Sequence, residues 1–157
     1  MEHRSLAQLQ ALADVQPVEA PVGMGREQRL LHWIDRLEAD PERRLRALHE
    51  IEYLSPAQRR ECRADDSPLS VAYADPVLRL AGLKGDRIGD CMDFFELSDD
   101  QIHHAFCSCH VGIRLSSLRA AQRLRHTLRA DSFRRKVTES ISRGVQALFT
   151  KLSPGPA

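Results

Sequence analysis

Aromatic residues are scarce, at 5% of the 157-residue chain. Leu, Ile, Val and Ala must therefore fill most of any core. A stacking platform for single-stranded nucleic acid is not indicated either. Long apolar runs are also lacking. None approaches the roughly 18–20 residues that span a bilayer, so no membrane span is expected. The N-terminus, MEHRSLAQLQALADV, has no apolar stretch of secretory type. The sequence reads as a cytoplasmic protein, bacterial in style. In that compartment its four cysteines, Cys62, Cys91, Cys107 and Cys109, are expected to avoid structural disulfides.

Strand-like alternation never persists for more than a few residues. Helix punctuation, by contrast, is dense. Asp40-Pro41, Ser55-Pro56, Ser67-Pro68 and Asp75-Pro76 repeat one signal. A small polar residue accepts from the orphan N–H groups, and proline takes the first helical position, where its missing donor costs nothing. These signals imply short helices joined by tight turns.

A first helix is expected around Leu6, Leu9 and Leu12, followed by a linker, VQPVEAPVGMG. Residues 1–25 are therefore set apart from a single helical domain over 26–152, with 153–157 as a tail. Leu30, Leu31, Ile34 and Leu37 share a helical face, with Trp33 as an anchor. A helix from Pro41 should bury Leu45, Leu48 and Ile51. Gly82 is a helix stop. A helix near 86–95 turns Ile88, Met92 and Phe95 inward. Ser98 and Gln101 form a capping box for a helix that runs to about Gly112. Two longer helices, at about 116–130 and 132–151, close the chain, the second capped by Ser132. The expected fold is all-α: a bundle of about eight helices, several short, orthogonally packed.

The stretch HHAFCSCH, residues 103–110, concentrates metal-ligating chemistry. On a continuous helix Ile102, Ala105, Phe106 and Cys109 share a core face at about 100° per residue, so Cys109 reads as a buried apolar residue. His103, Cys107 and His110 fall at i, i+4 and i+7 beside it. Zinc takes N and S ligands of this kind. Cys91 is the nearest fourth ligand in sequence, with Cys62 and His104 as others. The spacing matches no standard zinc motif, and i to i+7 is a long reach for one tetrahedral ion. A Cys107–Cys109 disulfide is excluded while the helix continues, because residues i and i+2 point apart. A thiolate nucleophile at Cys107, tuned by His103 or His110, is a further option.

The run RIGDCMDFFELSDDQIHHAF has a helix-turn-helix layout, with Leu97 and Ile102 as its apolar filling. Its second helix opens on Asp99-Asp100, which would repel phosphate. It reads as a structural helix pair.

Charge is segregated. Residues 1–100 carry 20 acidic and 13 basic side chains, and residues 101–157 carry 2 and 10. Such a split can steer an acidic partner to the C-terminal third. Arg119, Arg123 and His126, then Arg134, Arg135 and Lys136, are the candidate contact residues for a protein or nucleic acid with an acidic surface. Phe133, Val137, Ile141, Val145 and Leu148 form a stripe that packs on the core, makes a homodimer seam, or offers an amphipathic surface to a membrane or partner. The leading expectation is a regulatory or adaptor protein, with no cofactor and no enzymatic role. The alternative is a metal-binding or thiol-dependent protein, with zinc as the ion, centred on His103, Cys107, His110 and Cys91.

Overall fold

The structure, a computed structural model, describes residues 23–49 and 51–152. It is an all-α fold of eight helices with one short β-ribbon among the described residues. The elements are α1 (Arg26–Glu38), β1 (Arg44–Arg46), a 3₁₀ turn (Ile51–Tyr53), α2 (Pro56–Glu61), α3 (Pro68–Ala74), α4 (Pro76–Leu80), α5 (Ile88–Phe95), α6 (Asp99–Phe106), α7 (Ser108–Val111), β2 (Arg114–Ser116) and α8 (Ser117–Leu152). The expected helix around Leu6, Leu9 and Leu12 and the tail at 153–157 lie outside the described residues. No described helix is long and apolar enough to cross a membrane.

The anchor is Trp33 on α1. Its ring stacks on Phe95 at 4.5 Å between centroids and tilts against Phe106 at 5.6 Å. Its indole N–H donates to the Pro68 carbonyl at 3.0 Å, so the one polar atom of this buried ring is satisfied. Leu30, Ile34 and Leu37 complete the inward face, while Leu31 is partly exposed. The core face is therefore narrower than the sequence pattern suggests.

Three of the four proline signals open helices. Ser55 Oγ accepts from the Gln58 N–H, Ser67 Oγ from those of Leu69 and Ser70, and the Asp75 carboxylate from that of Leu78. Asp75 also meets His32 Nε2 at 3.1 Å and Arg36 Nε at 3.0 Å, which ties the start of α4 to α1. Ser98 and Gln101 form the anticipated box. Leu97 and Ile102 are buried.

The fourth signal fails. After Asp40-Pro41 the chain turns and enters β1, which pairs antiparallel with β2 in the register Arg44↔Ser116, Leu45↔Leu115, Arg46↔Arg114. Leu45 and Leu115 face inward between less buried neighbours. Leu45, Leu48 and Ile51 are buried as expected, but an extended chain puts the first two there. The N–H groups beyond β1 find partners outside a helix: Ala47 donates to Ile113 O at 3.0 Å and Leu48 to Phe106 O at 2.8 Å.

That last bond reshapes the central segment. Ser108 N–H returns a bond to Leu48 O at 2.8 Å, so Leu48 bridges Cys107 in a parallel pairing. The Phe106 carbonyl and Ser108 amide are thereby drawn off the helical ladder. Cys107 takes extended dihedrals, φ −67° and ψ 139°, and the expected helix through Gly112 is split into α6 and α7. Gly112, at φ 79°, ends α7 in a left-handed conformation that suits glycine.

The C-terminal pair of helices is one continuous α8. No glycine or proline lies between Leu115 and Ser142 to interrupt it. Ser132 is interior to this helix and is not its cap. The carboxylate of Asp131 is committed elsewhere, accepting from Arg26 at 2.5 Å and from Gln101 Nε2 at 2.9 Å. Arg125 clamps Glu38 with two bonds, at 2.9 and 2.7 Å. These contacts hold α8 against α1 and α6.

Candidate functional site

The break at Cys107 builds the site. It turns α7 back so that the His110 ring lies 5.1 Å from the His103 ring and 4.4 Å from that of His104, centroid to centroid. On a continuous helix the i to i+7 reach was the obstacle; the extended residue removes it.

Ligand atoms of His103, Cys109 and His110 lie within 4.8 Å of one another, and so do those of Glu52, Cys107 and Cys109. Cys109 belongs to both groups. Its thiol donates to the Cys107 sulfur at 2.9 Å and stands 3.7 Å from His103 Nε2. The Cys107 thiol donates to Glu52 Oε2 at 3.3 Å. His49 Nδ1 pairs with Ser108 Oγ at 3.1 Å beside the cluster.

The two cysteines exchange the roles expected of them. Cys107 is fully buried and Cys109 is exposed. The core assignment of Cys109 assumed one helix phase from 102 to 110, and the break resets that phase. It likewise removes the geometric objection to a bond between the two sulfurs.

Electrostatics set the protonation states. Burial pushes the Cys107 thiol up to about 12, with the hydrogen bond from Cys109 adding to it. A thiol held this high is protonated at neutral pH and is a poor nucleophile. The His110 imidazole is lowered, first by burial and then by His104, His103 and Arg123. It is therefore neutral at pH 7, the form that ligates metal. Glu52 is lowered by its own backbone N–H and then by the Cys107 thiol, so its carboxylate is charged beside the sulfurs.

Of the sequence-predicted ligands, His103 and His110 are brought together with Cys109, Cys107 falls in the neighbouring group with Glu52 and Cys109, and Cys91 is in neither. Cys91 is buried on α5, with its thiol toward the Gly85 carbonyl at 3.8 Å. Burial raises its pKa further still. Cys62 faces the Gln58 carbonyl at 3.4 Å. Cys109 and Glu52 are the members that sequence reasoning missed. The available signal was the shared polar–Leu–polar pattern of Arg44-Leu45-Arg46 and Arg114-Leu115-Ser116. A strand pair there carries Leu48 onto Cys107, and Glu52 on the following turn to the Cys107 thiol.

The predicted contact residues divide. Arg119, Arg123 and His126 line one groove between α6 and α8. Lys136 is exposed farther along α8, and the side chains of Arg134 and Arg135 lie outside the described ones. Phe133, Val137 and Ile141 are exposed, so this part of the apolar stripe does not pack on the core; the side chains of Val145 and Leu148 lie outside the described ones. Comparison with protein-family models, with curated proteins and with solved structures finds no match for this chain, and the functional reading rests on the geometry above.

Proposed function

We propose that this chain binds a thiophilic cation of the zinc type through His103, Cys107, Cys109 and His110. One observation carries the reading: ligand atoms of His103, Cys109 and His110 lie within 4.8 Å of one another at the α6–α7 break, and the Cys107 sulfur stands 2.9 Å from that of Cys109. Tetrahedral zinc holds sulfur at about 2.3 Å and nitrogen at about 2.0–2.1 Å, so its ligand atoms sit roughly 3.3–3.8 Å apart. The His103, Cys109 and His110 atoms, within 4.8 Å of one another, come to that size by side-chain rotation, and the Cys107 sulfur, 2.9 Å from that of Cys109, is the fourth to turn in. Four protein ligands close the coordination sphere, which is the pattern of a structural or regulatory ion rather than a catalytic one. The Glu52 carboxylate beside Cys107 would orient the ligating sulfur. The raised thiol of Cys107 disfavours nucleophilic catalysis but not ligation, because a bound cation displaces the thiol proton.

Native mass spectrometry of the reduced protein with added zinc tests this. One tightly held ion is expected. Cys109→Ser should lose it, and Cys62→Ser should retain it. Absence of a bound ion in the wild type, or equal retention by Cys109→Ser, overturns the proposal.

A regulatory or adaptor role is the second reading. What supports it is the charge of Arg119 and Arg123, which no carboxylate among the described residues neutralises. Capture of an acidic protein partner that is lost on reversing charge at both positions would favour it. Capture unaffected by the reversal would remove it.

A further inference from the structure

We propose that the groove between α6 and α8 binds a small organic anion, with a phosphate or carboxylate head held by Arg119 and Arg123. None of its residues belongs to the metal ligand set, so the proposal stands apart from that reading.

The two helices run antiparallel along the groove. Gln101 meets Asp131 at one end, and Arg123 reaches the carbonyls of His104 and His110 at the other, at 2.5 and 3.3 Å. The ends differ in charge balance. Asp131 is neutralised by Arg26 at 2.5 Å. Arg123 bonds to neutral carbonyls, and Arg119 has no ion pair among the described residues. Two guanidiniums thus share one end of the groove without a counter-ion. Burial and the neighbouring Arg119 both lower Arg123, as expected of crowded like charges, yet a guanidinium remains charged. His104 and His126 add ring nitrogens to the same wall.

Size selects the class of ligand. The groove encloses about 640 Å³, within the roughly 300–1,000 Å³ of small-molecule sites. Guanidinium forks bind phosphate and carboxylate oxygens in bidentate fashion. Asp100 presents a carboxylate at the far end, which suits hydroxyl groups on the body of the ligand. An anionic head on a hydroxylated body matches both ends.

Titration calorimetry of the full chain with inorganic phosphate, glycerol phosphate and succinate tests the inference. Saturable one-to-one binding of glycerol phosphate or succinate is expected, and the comparison identifies the head group. Arg119→Gln should weaken it at least roughly tenfold with helicity unchanged, because that side chain anchors nothing among the described residues. Arg119→Lys should recover part of the loss. No saturable binding of any of the three, or equal binding by the wild type and Arg119→Gln, overturns the proposal. So does binding of heparin alone, which would mark a macromolecular surface instead of a small-ligand site.

Discussion

The sulfurs of Cys107 and Cys109 lie 2.9 Å apart across a backbone break that Leu48 creates from a distant strand segment. The pair can be spent in two ways: on a shared cation, or on each other. Hydrogen peroxide would oxidise both thiols to a disulfide, the two thiol hydrogens and the peroxide leaving as two waters. Four free thiols should fall to two, with the new bond mapped to Cys107–Cys109 by peptide mass spectrometry. Prior loading with zinc should slow the reaction. A first bond at any other cysteine pair, or a rate indifferent to zinc, would contradict the account.

Zinc should also stabilise the fold. A cation joining His103 on α6 to Cys109 and His110 on α7 binds only the native arrangement, so it adds stability as its concentration exceeds Kd. Calorimetric melting should show a Tm that rises with zinc and returns on chelation. His103→Ala should abolish the rise without greatly changing the Tm of the metal-free protein.

The core prediction concerns Phe95, fully buried and stacked on Trp33 at 4.5 Å. Phe95→Ala should cost about 3–5 kcal/mol, the range for emptying a buried aromatic site. Urea denaturation followed by tryptophan fluorescence reads it. A cost below about 1 kcal/mol would mean that Trp33 does not organise the core.

Acid should loosen the α1–α8 contact. The Arg125 hydrogen bond lowers the Glu38 carboxyl. A carboxyl lowered on folding contributes stability above its unfolded pKa of about 4.3, and that contribution is lost as pH falls through the folded value. Both side chains are about a third exposed, at 33% and 38%, so solvent screens the effect. Stability of Arg125→Gln should therefore fall less steeply than wild type below pH ~4.3. Parallel acid limbs would show that the clamp contributes nothing.

Much of the fold was legible in local chemistry. Ser55, Ser67, Asp75 and Ser98 cap helices by rules that act over three residues, and Leu97 and Ile102 are buried as their pattern implies. What local chemistry could not show is the pairing of Arg44–Arg46 with Arg114–Ser116, a long-range contact. That pairing turns the expected helix at Pro41 into a strand, carries Leu48 to Cys107, and so decides which thiol is buried. The site was therefore half legible: His103 and His110 share one ligand group and Cys107 lies in the next, while Cys109, which links the two, and Glu52 went unforeseen. Continuity of α8 was missed because Ser132 resembles a cap, although Asp131 beside it is held by Arg26 and Gln101.

X-ray absorption at the zinc edge, on the reduced protein loaded with one equivalent of zinc, tests the central claim most directly. Two sulfurs at about 2.3 Å and two nitrogens at about 2.0–2.1 Å are expected, and Cys109→Ser should give no such shell because it does not hold the ion. A first shell of nitrogen and oxygen alone, unchanged by that substitution, would contradict it.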